Sequence, residues 1–473
     1  MGMELTLAHW LYGIFTLAII VTMIFRKGVV LPTLLGTFVI AWVYKGSLVD
    51  GFTAIFNANL IAAQELFSIF LIITFMLALL NSLKDLGADV RMIQPIEKVM
   101  VNGHVSFFVL AATTYIISLF FWPTPAVPLI CALLVPAAVR AGLPAIVAAV
   151  AIALAGQGMA LSSDFIVQVA PSLSATAAGI DAGLVADKAL VLSLIAGGVA
   201  ILLAYVLNRK SIRSKNDPLN TSELTTLNTA ESSKNEAKTN NLTRWSRVFA
   251  VFVPLSLLVV VIYMMYNKLF SGRGGLVGGD GAAFVGGVAV ILLLLSTIAF
   301  GKHHALDYIT NHITDGFVFA FKAMGPVIPI AGFFFLGSGD FSGSILGVEE
   351  GPSLLFGLVE STQEFLPQSA LLAAISVLVI GIITGLDGSG FSGLPLTGAL
   401  AASLETPGMD AGTLAAIGQL GAIWTGGGTI VAWSSLIAIA GFCGVSVMDL
   451  VRKNFIPVIL GLFVMVLVAV FIL

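Results

Sequence analysis

Asp164 and Asp387 each stand at the edge of a long apolar run, beside small and hydroxyl residues: Gly158-Met-Ala-Leu-Ser-Ser-Asp and Asp387-Gly-Ser-Gly-Phe-Ser-Gly. A carboxylate in such surroundings is costly and is a functional candidate by default. It can bind Na⁺ directly or carry a coupled proton. Neutral oxygen ligands gather at the same places, as Thr124, Ser162, Ser163, Ser389, Ser392, Thr425 and Thr429. These seven are read as substrate-binding candidates. Asp164, Asp387, Gly156 and Gly426 are read as ion-coupling positions, with the two aspartates as the Na⁺ ligands. None reads as catalytic. The plainer alternatives are an Asp164 that caps a helix starting at Phe165 and hydroxyls that merely punctuate helices. Glu65 near a span end and Lys322 as a snorkelling lysine take the plainer reading.

Helix breaks must position these groups. Four stretches interrupt the apolar pattern: Trp122–Val127, Gly156–Ser163, Gly385–Leu394 and Thr425–Gly428. Pro123, Pro125 and Pro128 end helices by removing backbone donors, and glycines accept backbone angles that other residues resist. Irregular backbone survives at membrane depth only where it is buried in protein or lines a wet cavity. Each break exposes helix ends, whose N–H groups favour an anion and whose carbonyls favour a cation. That combination suits a carboxylate together with Na⁺ and needs no arginine.

Composition requires a membrane. The 473 residues are 58% apolar and 10% charged, and mean hydropathy is +1.05. Soluble domains carry about 25% charged residues. A net charge of -3 leaves no basic footprint for nucleic acid. The two cysteines, Cys131 and Cys443, cannot make a disulfide framework or a cysteine zinc site. Apolar runs such as Leu11–Phe25, Leu60–Leu80, Val185–Leu207 and Phe455–Leu473 approach the roughly 20 residues a spanning helix needs. The first of them reads as a retained span.

Lys and Arg favour the cytoplasmic side of short loops. Their distribution puts the amino terminus outside and residues 209–247 inside, with hairpins entering from opposite faces. The predicted fold is an all-α polytopic membrane protein of two inverted repeats, each with three spans, a re-entrant hairpin, a broken span and a final span. Residues 1–208 form the first repeat, 209–247 a disordered cytoplasmic linker and 248–473 the second. Pro128-Leu-Ile-Cys-Ala-Leu aligns with Pro395-Leu-Thr-Gly-Ala-Leu, and Ala148-Ala-Val with Ala415-Ala-Ile. Inverted repeats with discontinuous helices are an architecture of secondary transporters.

With its two hairpins, each followed by a broken helix, the chain resembles the ion transporter superfamily of secondary carriers. That group includes carboxylate, gluconate, lactate and C4-dicarboxylate carriers and sodium/proton antiporters. Trp122-Pro-Thr-Pro-Ala-Val-Pro and Asp387-Gly-Ser-Gly-Phe-Ser-Gly stand where dicarboxylate symporters carry Ser-Asn-Thr tips. The resemblance implies an elevator-like movement and a homodimer. The expectation is a Na⁺- or H⁺-coupled carrier of a small organic anion in the plasma (inner) membrane, without an organic cofactor or enzymatic activity. A sodium/proton antiporter is one alternative. The other is an intramembrane serine protease built on Gly390-Phe-Ser-Gly, which would need a histidine from another span to activate Ser392. Gly388-Ser-Gly-Phe-Ser-Gly fits a dinucleotide fingerprint only in spacing, because an apolar helix precedes it and not a strand.

Overall fold

The computed structural model describes residues 5–25, 27–232, 244–270, 280–362, 369–386, 390–432 and 434–472. Among them the regular structure is helical. The first half opens with α1 (Leu7–Ile24), α2 (Val30–Lys45), the long α3 (Leu48–Leu86) and the short α4 (Ala88–Glu97). A hairpin follows, α5 (Gly103–Phe121) and α6 (Pro123–Arg140), turned by the single residue Trp122. Next, α7 (Ala145–Ile152) widens into a π-helical stretch, Ala153–Ala160, and ends in the short α8 (Leu161–Ser163). After a break come α9 (Val169–Ala178) and α10 (Ala182–Asn208). A central helix, α11 (Pro218–Ser232), precedes the second half.

That half begins with α12 (Arg244–Phe270), α13 (Asp280–Gly301), α14 (Ala305–Met324) and α15 (Val327–Leu336). The short helices α16 (Gly339–Leu346) and α17 (Leu354–Thr362) lead to a hairpin of α18 (Ala370–Gly385) and α19 (Leu394–Ser403). Then α20 (Ala411–Gly426), α21 (Ser434–Phe442) and α22 (Val447–Phe471) complete the chain. Five helices or joined helices among the described residues are long and apolar enough to cross a bilayer, and the bent α3 makes a sixth.

Packing divides the helices into two groups. One gathers α2, α13, α14 and α15 around α3. The other pairs α18 with α20, α10 with α22, and α19 with both α9 and α20. Small residues make the closest of these approaches possible. A Cβ at Gly381 on α18 would strike the Gly418 carbonyl of α20, and one at Gly385 would strike that of Ala422. Helices in a bilayer associate through such small-residue contacts, where van der Waals packing substitutes for a hydrophobic drive. The Ala145–Ser163 span lies at the heart of the second group: 94% of it is buried, against 33–44% for the other single spans. It faces protein and not lipid.

The central segment departs from the expected disordered linker over residues 209–232. It carries α11, which packs on α6 and α21. Polar contacts hold it down. Glu223 Oε2 accepts from the Ala145 amide (2.9 Å), Oε1 accepts from Arg213 (2.8 Å), and the Arg213 amide donates to Gly142 O (2.9 Å). Asn220, buried in the first turn of α11, donates to Ser214 O. A segment too polar to build its own core is ordered by satisfying the backbone of its neighbours. Of the rest of the expected linker, 233–243 lies outside the described residues and 244–247 already belongs to α12.

Candidate functional site

Asp164 sits where the first interrupted helix breaks. Its backbone is left-handed (φ 38°), as is that of Gln168 (φ 59°), and neither is glycine. Such residues store strain and cluster at functional sites. The π-helical stretch just before the break is itself a rare form that concentrates at functional positions. The Asp164 side chain is 2% exposed. Its Oδ2 accepts from the Ala170 amide (2.8 Å) in the first turn of α9, so the carboxylate bonds the start of a helix that begins at Val169 and not at Phe165. Its Oδ1 accepts from the Trp122 indole N–H at 3.3 Å. Both donors are neutral, so these bonds leave the charge of an ionised Asp164 uncompensated. It can therefore exchange a proton or pair with a small cation.

Trp122 is the turn of the first hairpin and also has positive φ (56°). Its ring stacks on Phe391 of the second hairpin, with centroids 5.2 Å apart and planes 24° apart. Thus one indole joins both hairpin turns to the broken helix. A narrow apolar cleft opens beside it, lined by Ile73, Met76, Phe121, Trp122, Val167 and Phe319. It runs between the α3–α14 pair and the hairpin turn. Neither Trp122 nor Phe391 was an expected ligand. Their signal in the sequence was present, as the aromatic residue of each hairpin turn, but the hydroxyls beside them drew the chemical reading.

The expected hydroxyl ligands divide. Ser162, Ser163, Thr425 and Thr429 are buried at the junction of the two broken helices, but they bond within the protein. Ser162 Oγ accepts from the Trp424 indole (3.0 Å), and the Ser162 carbonyl accepts from Gln419 Nε2 (2.8 Å). Ser163 donates to Ala160 O (2.9 Å), and Thr425 to Gly421 O (2.9 Å). Thr429 donates to Trp424 O, while its own carbonyl accepts from Asn454 (2.9 Å). The two bonds at Ser162 brace the first broken helix against α20, while those of Ser163 and Thr425 stay within their own helices. Ser392 is buried in the second hairpin turn, whereas Thr124 is exposed beyond the first. Gly156 faces α5, and Gly426 packs on Gly390. Asp387 and Ser389 lie outside the described residues. Gln419 and Trp424, also missed, lie in an apolar helix, and only tertiary contact reveals their partners.

No family model matches the chain. It is 38% identical over 467 residues to the uncharacterized membrane protein YhfA of Bacillus subtilis (strain 168), covering 98% of this chain and 97% of that one. The chain belongs to the YhfA family of membrane proteins. Its fold is similar to that of Neisseria gonorrhoeae MtrF, with a TM-score of 0.56 and 12% identity over 90% of this chain and 85% of that one. MtrF is described as illuminating a class of antimetabolite efflux pumps. At this identity the likeness is one of fold. The YhfA-family chain thus combines a fold similar to that of MtrF with a strained, buried carboxylate at a helix break.

Proposed function

We propose that this protein is an ion-coupled secondary transporter of a small organic anion, working by alternating access. The observation that carries this reading is Asp164: a buried carboxylate at the break of the most deeply buried span, bonded to the turn of a helical hairpin. A carboxylate in that position is suited to trade a proton or Na⁺ as the hairpin moves. The fold likeness to MtrF supports a transporter and makes export the direction to test first. The two halves repeat the order of spans, hairpin, interrupted helix and final span, which supports an inverted repeat. In this reading the group containing both hairpins slides, elevator-like, against the group built on α3. The carrier resides in the plasma (inner) membrane as a homodimer, with Na⁺ or H⁺ as its coupling ion, no organic cofactor and no enzymatic turnover.

Sodium/proton antiport is the second reading, favoured by one observation. The hydroxyls of Ser162, Ser163, Thr425 and Thr429 are already engaged within the protein, which leaves fewer of them for an organic anion. The serine-protease alternative has less behind it. His9 pairs with Thr6, His104 with Tyr205 and His312 with Asp85, and none of these contacts involves Ser392. Proteoliposomes separate the readings. Counterflow of labelled carboxylates driven by a Na⁺ or pH gradient supports anion transport. Na⁺-driven pH change with no anion flux replaces it with antiport. Cleavage of a membrane peptide with neither flux overturns both.

A further inference from the structure

Four basic side chains gather at one end of the bundle. Arg209 and Lys210, both exposed, directly follow α10, and Arg452 and Lys453 lie in the second turn of α22. Lys453 reaches across to Asn208 Oδ1, so the two helices bring their cations to a common rim. Between α22, the turn after α21 and the start of α7 lies an open cavity of about 420 Å³, lined by Ile146, Val445, Ser446, Asp449, Arg452 and Lys453. Asp449 lies 3.4 Å from Arg452 with both side chains more than half exposed, an ion pair that water largely screens. Glu223, which holds the Ala145 amide next to Ile146, is paired with Arg213. The rim is therefore positive on balance.

Away from the rim both helices turn apolar. On α22, Ile456 follows Arg452 by four residues and Lys453 by three, and Leu460 and Phe463 continue that face. These three side chains are 42–55% exposed. On α10, Leu202 and Val206 are exposed and precede Arg209 and Lys210 at the same spacing. Cations at one end and apolar side chains along the rest complement a phospholipid, with its phosphate at the rim and an acyl chain along the helix. A free phosphate would use the cations alone and leave the apolar face unused. A phosphocholine headgroup carries its own ammonium, which the rim cations repel, so a lipid of net negative charge fits better. Basic pockets between spanning helices on the cytoplasmic side take such headgroups.

We propose that this end of α10 and α22 binds an anionic phospholipid of the leaflet facing the cytoplasm. Arg452 and Lys453 hold its phosphate over the cavity, Arg209 and Lys210 close the rim from α10, and an acyl chain lies against Ile456 and Leu460. Ile146 is the second residue of the most deeply buried span, so the headgroup abuts the helix that leads to the Asp164 break. Lipid binding does not depend on the transporter reading.

The test uses the full-length protein purified in detergent. Thermal unfolding is followed as dioleoyl phosphatidylglycerol, dioleoyl phosphatidylcholine or inorganic phosphate is added at constant ionic strength. Phosphatidylglycerol is expected to raise the midpoint saturably, by mass action on the folded state, and the other two to raise it far less. Arg452→Gln and Lys453→Gln each remove one charge, and glutamine at 453 keeps a donor for Asn208. Each is expected to raise the half-saturating phosphatidylglycerol concentration by about fivefold while leaving the midpoint in detergent alone nearly unchanged. Lys302→Gln makes the same charge change at the exposed turn between α13 and α14, and is expected to leave the lipid response as it was. Equal weakening in Lys302→Gln assigns the effect to net charge and overturns the location. A midpoint raised as much by phosphatidylcholine or by inorganic phosphate overturns the anionic lipid as the occupant, and one indifferent to all three overturns the site. A phosphatidylglycerol response that needs Arg452 and Lys453, in a protein that carries no solute, sustains the site and removes the transporter reading, so the two fail separately.

Discussion

At the scale of single residues, Asp164 carries two duties that mutation can separate. It caps α9 through the Ala170 amide, and it accepts from Trp122 across the hairpin turn. Asp164→Asn keeps the shape and one acceptor oxygen but cannot ionise. In proteoliposomes the variant is expected to retain binding of the transported solute while losing the pH or Na⁺ dependence of its flux. An unchanged dependence would leave Asp164 as a helix cap alone. Trp122→Phe probes the other contact. It keeps a ring against Phe391 but removes the indole donor, at a cost of ~0.5–1.5 kcal/mol for one net hydrogen bond. The expected outcome is a two- to roughly tenfold rise in the half-saturating coupling-ion concentration, with folding intact. Trp122→Ala also loses the stacking and should cost more in thermal stability than Trp122→Phe. Equal losses would mean that Phe391 contributes nothing to holding the strained turn.

At the scale of elements, the bonds that position the site divide into those a sequence announces and those it hides. Pro123 at the start of α6 and the glycines around Gly426 announce their breaks, because backbone chemistry is local, whereas the break expected at Gly156–Ser163 stays helical and the chain breaks only from Asp164 to Gln168. Asn102 and Asp410 announce helix starts in the same way, accepting from the amides three residues on. Asp410 also accepts from the Thr413 hydroxyl and lies 3.7 Å from Lys188 at the start of α10. Partial burial raises its carboxyl, but the Thr413 bonds and Lys188 outweigh burial and hold it below the ordinary aspartate range. A group whose folded pKa is depressed contributes stability above its unfolded pKa and loses it as pH falls through the folded one. Asp410→Asn is therefore expected to lower the melting midpoint by more at pH 7 than at pH 3, as a pair of thermal scans would read. What the sequence hides is contact across the chain. Trp122 with Phe391 and Gln419 with Ser162 join residues far apart in sequence and have no periodic signature. Helix α11 was missed for a related reason: its hold on the protein comes from Glu223 and Arg213 meeting backbone groups, not from an apolar stripe. Glu223→Gln leaves one acceptor but removes the charge facing Arg213. Amide exchange across 213–225 is expected to quicken in that variant, while exchange in α22 stays unchanged. Unaltered protection of α11 would mean that its seat on α6 is apolar after all.

At the scale of the whole molecule, everything proposed for the hairpins depends on which way the chain threads the bilayer. Arg209, Lys210, Arg213 and Lys215 cluster at the end of α10, and Arg452 and Lys453 stand at the start of α22, which packs against α10. Lys453 donates to Asn208 Oδ1 at 2.6 Å, so the two basic groups share one end of the bundle. Lys and Arg concentrate on the cytoplasmic side, which puts that end inside. The turn between α16 and α17 carries exposed Glu349 and Glu350 and no basic residue, which suits the opposite face. The two native cysteines, Cys131 and Cys443, are buried, so an impermeant maleimide should meet little background in intact cells. Lys215→Cys, at an exposed position, is expected to stay unlabelled from outside and to label once the membrane is opened. Glu350→Cys is expected to label in intact cells. With that pattern the α5–α6 hairpin enters from the cytoplasm and the α18–α19 hairpin from outside, so Trp122 and Phe391 meet as the turns of two opposed hairpins. That is the arrangement in which one stacked pair can close a path from either side. The reverse pattern would invert the protein but keep the hairpins opposed. Labelling of both positions from outside is the result that breaks the scheme, because the two hairpins would then enter from a common face and no inverted repeat could relate the halves.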